Sequence, residues 1–368
     1  MAPSLPSIAV TLLLALGLAL GAIYMSRLSA TEPPPNAAGP TRLLIVSGGR
    51  SGSTLTGELF RQSSDIMYFY EPCRGGHGRH EHRRKAQECA EYLTRLTRCD
   101  ITSDDLRAMA ADEPALANSS PAVARTLRGL SSEASSSVID RMRDDLVGSC
   151  KSSKAVVAKT IRVPEIYPEL AEDPGLRIVL LVRDPRATVR SQLASFSDRH
   201  KKQERLGSHA ASAQASKMVC DNMLRRLEGV DGLGSTRCRL LRYEDATAAL
   251  PDTTAALYQW AGLGVPPPTV TEWLDEHMHA TVCPEGAGKV AAGAWVAGAA
   301  PSPEWLEEQR QCAIKAYKNK DGGKSFTTGR NTAVMADLWR HLVDPKDAKE
   351  MWEICNKNGL MDRLHYSL

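Results

Sequence analysis

Short apolar runs alternate along the chain with longer stretches of helical periodicity. The runs that predict buried strands are Leu43 to Val46, Ala155 to Ala158, Arg177 to Val182 and Arg239 to Leu241, with a further short strand at Met67 to Tyr70. The intervening segments are long enough for crossover helices, and the polar segment 100–150 is expected to be helix or loop. We therefore predict an α/β domain with a central parallel sheet flanked by helices.

The N-terminal region has a different pattern. Residues 8–25 are uncharged and nearly all apolar, at the lower end of the length that spans a bilayer. A cleaved signal peptide is the alternative, but the run exceeds a normal apolar core, and no Lys or Arg precedes it. We predict a short tail at 1–7, a transmembrane signal anchor at 8–25, a Pro-rich stem at 26–40 and a folded domain at 41–368.

The overall composition narrows the class of protein. The chain has 368 residues, of which 42% are hydrophobic and 24% charged, so it is globular rather than disordered. A formal net charge of +3 is too small to indicate nucleic-acid binding. The basic runs Arg79 to Lys85 and Arg199 to Arg205 predict solvated faces, with a local acidic partner as the alternative.

Nine cysteines are scattered along the chain without a CxxC pair or zinc-finger spacing. This pattern favours disulfides in a secretory lumen, and the odd count leaves at least one thiol unpaired or bonded to another chain, which would give a homodimer. Asn118 begins an Asn-Ser-Ser glycosylation sequon. These features favour a lumenal domain, although Arg27, after the apolar span, by itself argues for the opposite orientation.

The stretch "LLIVSGGRSGSTLTGELF", residues 43–60, combines a buried strand, a Gly/Ser/Arg loop and the start of a helix. Such a loop can hold a phosphate, because glycines let backbone N–H groups approach an anion at the positive end of the helix. The pattern is not a Walker A motif, since no Lys follows the glycines and Arg50 precedes the loop core. A tight turn without a ligand is the alternative.

A second stretch, "RIVLLVRDPRATVRSQL" at 177–193, again joins a strand to a helix. Asp184 is suited to cap that helix, and Pro185 fits its first turn. Ligands of open parallel sheets bind beyond the carboxyl ends of the strands, so Arg183 is expected in the same crevice as the Arg50 loop. Arg183 and Ser191 can together bind one compact dianion. The alternative is that Arg183 forms an ion pair with Asp184 or with a surface acid.

These two stretches together resemble the 5′-phosphosulfate loop and the 3′-phosphate motif of Golgi carbohydrate sulfotransferases. Within them, the chain is similar to the galactose, N-acetylglucosamine and N-acetylgalactosamine 6-O-sulfotransferase family. The resemblance extends through "FYEP", "VVAKTIR", "LLRYED" and "FTTGRNTAV", and covers most of the chain from Leu43 to the end. It implies a P-loop-like fold and a Golgi membrane protein of type II topology with a lumenal catalytic domain.

The resemblance also implies a donor, 3′-phosphoadenosine 5′-phosphosulfate, and sulfuryl transfer to the 6-hydroxyl of a sugar in a glycan or glycosaminoglycan, with no metal. Arg50 is expected to stabilise charge on the leaving phosphate. The residues expected to bind the 5′-phosphosulfate are Arg50, Ser51, Gly52, Ser53 and Thr54. Those expected at the 3′-phosphate are Arg183, Ser191 and, in a late loop, Arg330.

On the acceptor side, the resemblance assigns Glu71 as the base that takes the proton of the sugar hydroxyl. A surface carboxylate is the alternative role for Glu71, and the rival bases are His77, His80 and His82, which we interpret instead as part of a solvated loop. Lys159 and Arg162 are expected to reach the sulfonate or an acidic glycan, or else to form structural salt bridges. Glu244 and Asp245 are expected to anchor their strand, and 283–298 matches no family feature.

Two other classes of function compete with this interpretation. A P-loop kinase of a small metabolite is disfavoured by the missing Walker lysine and by the membrane anchor with scattered cysteines. A noncatalytic membrane protein that binds glycans through Arg79 to Lys85 remains open. Tight binding of adenosine 3′,5′-bisphosphate is expected only of the sulfotransferase.

Overall fold

A five-stranded parallel sheet forms the centre of the computed structural model, which describes residues 39–74, 85–130, 134–200, 209–278, 302–318 and 332–368. Its strands are β1 (Thr41–Ser47), β2 (Ile66–Tyr70), β3 (Ala155–Thr160), β4 (Leu176–Val182) and β5 (Cys238–Arg242). They lie in the order β2, β3, β1, β4, β5, and every neighbouring pair is parallel. The predicted parallel α/β sheet is confirmed, and the predicted strands all lie within these bounds.

Helices fill the connections between the strands. Those before β4 are α1 (Ser53–Arg61), α2 (Ala86–Thr97), α3 (Ser103–Ala110), α4 (Glu113–Asn118), α5 (Pro121–Gly129), α6 (Ser136–Ser152) and α7 (Pro168–Ala171). Those between β4 and residue 278 are α8 (Pro185–His200), α9 (His209–Val230), α10 (Gly234–Arg237), α11 (Tyr243–Ala248), α12 (Leu250–Trp260) and α13 (Pro268–Met278). The last are α14 (Pro303–Lys318), α15 (Thr332–Asp337), a 3-10 turn (Leu338–His341), α16 (Pro345–Asn356) and α17 (Leu360–Arg363).

Alternating side chains of the central strand β1 enter two hydrophobic cores. Leu44 and Val46 pack on one face with apolar residues of α2, α6, α8 and α9, whereas Leu43 and Ile45 pack on the other with those of α1, α12 and α13. Because both faces are covered, the strand is apolar at every position of its centre, as parallel strands usually are. The continuous apolar run in the sequence follows from this burial.

The chain leaves neighbouring strands β1 and β4 toward opposite faces of the sheet. Helix α1, after β1, contributes Leu55, Leu59 and Phe60 to one core, whereas Val189 of α8, after β4, lies in the other. Such a reversal between adjacent parallel strands opens a crevice at their carboxyl ends, where open α/β sheets bind ligands.

Two serine side chains, rather than another strand, accept hydrogen bonds from the outer N–H groups of the edge strand β2. Tyr68 N–H donates to Ser120 Oγ at 3.2 Å, and Tyr70 N–H donates to Ser119 Oγ at 3.1 Å. Asn118 Nδ2 donates to Pro114 O at 2.8 Å. The Asn-Ser-Ser triplet therefore has a structural role, since its serines satisfy edge N–H groups that would otherwise lack partners.

Disulfides join helices to loops and to each other in the described part of the chain. They connect Cys73 with Cys89, Cys99 with Cys150, and Cys220 with Cys355. Cys312 is also disulfide-bonded, and Cys238 is a half-buried free thiol. Burial raises the pKa of Cys238 to about 11, so this thiol is a poor nucleophile at neutral pH.

The predicted membrane anchor and stem lie outside the described residues. Among the helices that are described, none has the length and hydrophobicity needed to cross a bilayer. The described residues from Gly39 onward belong to one compact unit.

Asp173 fastens the start of β1 to the turn before β4. It accepts two hydrogen bonds from Arg42, at 2.6 and 2.7 Å, and a salt bridge from Arg98 at 3.0 Å. Burial raises the pKa of Asp173, but the Arg42 and Arg98 guanidiniums outweigh this effect and hold the pKa below its ordinary value. The ionised carboxylate therefore stabilises the fold.

Replacing Asp173 with Asn should lower the free energy of unfolding by on the order of 3 kcal/mol at pH 7, because the Arg42 guanidinium loses its anion. Since the folded-state pKa is depressed, this stabilisation is present at neutral pH and is lost as the pH falls below about 4. Thermal unfolding should thus show a lower melting temperature for D173N than for wild type at pH 7. This difference in melting temperature should be smaller at pH 3.

Asp65→Asn is the matched control, since Asp65 pairs with Lys154 at the exposed surface. Its melting temperature should stay close to that of wild type. Equal melting temperatures of D173N and wild type at pH 7 would contradict the role given to Asp173.

Candidate active site

The loop after β1 has a backbone conformation that few residues tolerate. Arg50 has φ +72° and Gly52 has φ +91°, both in the left-handed region. A Cβ built on Gly52 would lie 2.2 Å from the ring of Tyr243, so only glycine fits there. The left-handed Arg50 is a strained position of the kind that occurs at binding sites.

The same loop leads directly into α1, whose N-terminus faces the crevice. Gly52 precedes the helix and supplies no side-chain cap. Ser51 and Ser53 are buried, and Ser51 Oγ has no hydrogen-bond partner within the described residues. N–H groups at a helix start, together with an unpartnered buried hydroxyl, fit an anion in this loop.

The β1 loop is bonded to the helix that follows β4. Arg50 Nε donates to Ser191 Oγ at 2.9 Å, and Gln192 Nε2 donates to Gly49 O at 2.9 Å. Ser191 and Gln192 belong to α8, so both sequence motifs contribute to one crevice. The expectation that the two stretches meet at the sheet edge agrees with this geometry.

Arg183 lies at the end of β4, beneath the loop. Its Nη1 donates to Arg50 O at 3.3 Å, its Nη2 donates to Met335 O at 3.1 Å, and its guanidinium carbon lies 4.4 Å from the centre of the Tyr243 ring. Asp184 is instead occupied by Arg186, whose Nη2 lies 2.7 Å from the Asp184 carboxylate. The alternative pairing of Arg183 with Asp184 is therefore absent, and its positive charge faces carbonyls and an aromatic ring.

Asp184 and Glu244 have structural roles beside Arg183. Asp184 Oδ1 accepts a hydrogen bond from Arg186 N–H at 2.9 Å, which caps α8 as the sequence predicts. Glu244 accepts bonds from Asp184 N–H at 3.0 Å and from the Tyr366 hydroxyl at 2.9 Å. Burial raises the pKa of Glu244 above its ordinary value. The expected anchoring role of Glu244 is what the structure shows.

Glu71 lies on the opposite side of β1, at the end of β2. It is 4% exposed and has φ +43°. Lys159 Nζ lies 2.6 Å from its Oε1, and Arg162 Nη2 lies 3.7 Å from its Oε2. Two cations thus hold the carboxylate in place, and its oxygens can accept hydrogen bonds.

Lys159 is more buried than the sequence suggests. Its side chain is 1% exposed, and its ammonium lies 4.1 Å from the centre of the Tyr70 ring. Burial lowers the pKa of Lys159, while the Glu71 carboxylate opposes that shift. The structural salt bridge considered for Lys159 is therefore present. Arg162, whose side chain is 24% exposed, keeps a surface toward solvent.

Tyr70 and Tyr243 are site residues that the motif analysis did not identify. The Tyr70 hydroxyl is hydrogen-bonded to the Thr54 side chain, which links the end of β2 to α1. Burial and the charge of Glu71 raise the pKa of Tyr70 to about 12, so it stays protonated at neutral pH. Tyr243 packs on both Gly52 and Arg183. Tyr70 ends β2 and Tyr243 directly follows β5, and these positions were the available signal.

Several predicted positions lie outside the described residues. They are Arg330, His77, His80, His82 and the segment 283–298. Among the residues that are described, no group of three His, Cys, Asp or Glu side chains is placed to hold a metal ion.

The sequence model of a protein family, described as the sulfotransferase family, matches residues 42–267, which include both loops of the crevice. The chain belongs to the sulfotransferase family. It is similar to carbohydrate sulfotransferase 6 of Homo sapiens, with 28% identity over 392 residues that cover 95% of this chain and 88% of that protein. The match to carbohydrate sulfotransferase 1 of Danio rerio has 26% identity over 283 residues and covers 65% of this chain and 66% of that protein.

A solved structure also resembles this sulfotransferase. The sulfotransferase domain from the curacin biosynthetic pathway matches with a TM-score of 0.43 and 18% identity, covering 89% of this chain and 99% of that domain. The resemblance to carbohydrate sulfotransferases seen in the motifs is confirmed by the family match and the relatives. The predicted donor, 3′-phosphoadenosine 5′-phosphosulfate, is the donor of this family.

Gly52→Ala should destabilise the sulfotransferase by at least about 1 kcal/mol, because alanine is strained at positive φ and its Cβ meets Tyr243. Gly148→Ala is the control, since Gly148 lies in α6 with no atom within 4 Å of a new Cβ. G52A should have a lower melting temperature than wild type and should bind adenosine 3′,5′-bisphosphate more weakly. G148A should show neither change. Matching behaviour of the two variants would show that the loop conformation is not required.

Proposed function

We propose that this protein transfers a sulfuryl group from 3′-phosphoadenosine 5′-phosphosulfate to a sugar hydroxyl, at the 6-O position of N-acetylglucosamine, galactose or N-acetylgalactosamine. The observation that carries the proposal is the hydrogen bond from Arg50 to Ser191, which brings the phosphosulfate loop and the 3′-phosphate motif to one crevice. The carbohydrate acceptor is supported by the names of the relatives and by the motifs.

Donor recognition is divided between the two sides of this crevice. Ser51, Gly52, Ser53 and Thr54 supply backbone and hydroxyl donors for the 5′-phosphosulfate, at the positive end of α1. Arg183 and Ser191 recognise the 3′-phosphate. Within the described residues, the Arg183 guanidinium donates to two carbonyls and packs on the Tyr243 ring. The Glu244 carboxylate, which acts on Arg183 electrostatically, is hydrogen-bonded to Asp184 N–H and to the Tyr366 hydroxyl instead. Such a guanidinium is suited to bind an anion.

The reacting centre lies between Arg50 and Glu71 in this proposal. Sulfuryl transfer is an in-line displacement, in which the sugar oxygen bonds to sulfur as the sulfur–oxygen bond to the phosphate breaks. Arg50 stabilises the charge that develops on that leaving oxygen. Glu71 accepts the proton of the attacking hydroxyl, and its salt bridges to Lys159 and Arg162 hold the carboxylate in place.

The burial of Glu71 sets a condition for the acceptor. A base must come within hydrogen-bonding distance of the hydroxyl, so the sugar has to enter the crevice beside Tyr70 rather than rest on the surface. A primary 6-hydroxyl projects from the sugar ring on one extra carbon and is suited to such a narrow approach. Arg162 remains the residue proposed to contact an acidic glycan, and Lys159 acts through Glu71.

The cellular placement is a proposal from the sequence. Residues 8–25 would anchor the protein in the Golgi membrane, with 1–7 in the cytoplasm, 26–40 as a stem and 41–368 in the lumen. The scattered cysteines and the disulfides among the described residues agree with an oxidising compartment. Arg330 is proposed to close over the 3′-phosphate, and a homodimer remains a proposal from the odd number of cysteines.

The direct test is the transfer of labelled sulfate from the donor to a panel of glycans that present terminal N-acetylglucosamine, galactose or N-acetylgalactosamine. Label should appear on the 6-oxygen of one of these sugars. A noncatalytic glycan-binding protein would retain glycans without labelling any, and a kinase would show no use of this donor.

Arg183→Ala and Ser191→Ala should raise the KM for the donor far more than the KM for the acceptor, because both side chains act on the remote 3′-phosphate. Loss of one charge-assisted contact costs roughly 1.5–3 kcal/mol, or about ten- to a hundredfold. Arg141→Ala and Ser149→Ala, on the exposed side of α6, are the controls for initial-rate kinetics. Unchanged donor KM in both crevice variants would refute the assignment of the 3′-phosphate site.

Glu71→Gln should lower kcat by roughly 10²–10⁴ while donor binding survives, since glutamine cannot accept the proton. Arg50→Ala should lower kcat and also weaken donor binding, because Arg50 contacts the phosphosulfate before and during reaction. Initial rates and calorimetry with adenosine 3′,5′-bisphosphate distinguish the two patterns.

Glu58→Gln is the matched control for Glu71. Glu58 is also a buried carboxylate, 5% exposed and paired with Arg61, but it lies on α1 in that separate ion pair. Below its melting temperature, E58Q should keep the wild-type kcat. If E71Q retains more than about a tenth of wild-type kcat, the base is another residue.

A further inference from the structure

Arg226 is a buried arginine that neither sequence motif includes. It lies on α9, is 6% exposed, and its Nε donates to Val163 O at 2.8 Å. Val163 follows β3, so the side chain of Arg226 reaches from α9 to the carboxyl ends of the central strands. This contact engages one of the five N–H groups of the guanidinium.

The charge of Arg226 has no carboxylate partner within the described residues. The nearby charge that acts on it is Arg225, which has the same sign, and burial together with Arg225 lowers the pKa of Arg226 to about 10. The guanidinium therefore stays protonated at neutral pH. Arg186, which is also buried, has the paired carboxylate of Asp184. A buried cation without an anion costs stability, which is the usual mark of a ligand site.

The guanidinium of Arg226 faces the donor loop. A Cβ built on Gly48 would lie 3.7 Å from Arg226 Nη1 and 3.3 Å from Ser51 Oγ. Ser51 Oγ is buried and has no partner in the described part of the chain. A buried cation and an unpartnered hydroxyl thus approach the same point above Gly48, the first residue of the loop, and one anionic oxygen satisfies both groups.

We propose that Arg226 binds the 5′-phosphate of the nucleotide donor together with Ser51. The inference rests on the proposed function and adds to it a positively charged residue from α9. It also gives Gly48 a reason to be glycine, since a side chain there would fill the space between the two groups.

The test compares two nucleotides by calorimetry. Adenosine 3′,5′-bisphosphate has the 5′-phosphate, whereas adenosine 3′-monophosphate lacks it. Arg226→Met, which keeps the volume but removes the charge, should weaken binding of the bisphosphate about tenfold or more and leave binding of the monophosphate within about twofold. Arg225→Met, at the adjacent exposed position, should leave both affinities unchanged.

If Arg226 had only a structural role, its replacement would change the affinities for both nucleotides equally or change neither. Either result overturns the proposal. If the Met variant does not fold, Arg226→Lys takes its place in the test, because lysine retains the positive charge but lacks the planar guanidinium. It should weaken the bisphosphate selectively, and an equal effect on both nucleotides overturns the proposal. Failure of wild type to bind the bisphosphate would refute the proposed function itself, whereas normal binding with no effect at Arg226 refutes this inference alone.

Discussion

The parallel pairing of β1 with β4 is the constraint on which the site depends. Ser47 at the end of β1 lies opposite Leu181 of β4, so the loop and the helix that follow these strands begin side by side. Because the two segments turn toward opposite faces, their ends enclose a crevice rather than pack on each other. Arg50 then reaches Ser191, and a register shift of one residue would separate them.

The other neighbour of β1 provides a chemically distinct half of the site. In β3, Lys159 pairs with Ile45 of β1 on one side and Tyr70 of β2 on the other. This position is buried, and the Lys159 ammonium is neutralised by Glu71. The sheet therefore separates the Arg183 guanidinium near β4 from the Glu71 carboxylate near β2, with the strained loop between them. The proposed transfer from an anionic donor to a neutral hydroxyl uses this division.

Much of the fold could be predicted from the sequence because parallel strands buried on both faces form continuous apolar runs. The two loops were identifiable since Gly, Ser, Arg and Pro there directly follow strands. Contacts that depend on packing between distant elements could not be foreseen. The burial of Lys159 follows from its place in the inner strand β3, and the position of Arg226 follows from the docking of α9. Neither leaves a local pattern.

The central claim is that one ligand occupies both loops at once. Hydrogen exchange of backbone amides, measured with and without adenosine 3′,5′-bisphosphate, tests it most directly. The account predicts slower exchange in residues 48–54 and also in residues 184–191 when the ligand binds, with little change along α6. Protection of one of these two segments alone, or of neither at saturating ligand, would contradict a donor site shared between β1 and β4.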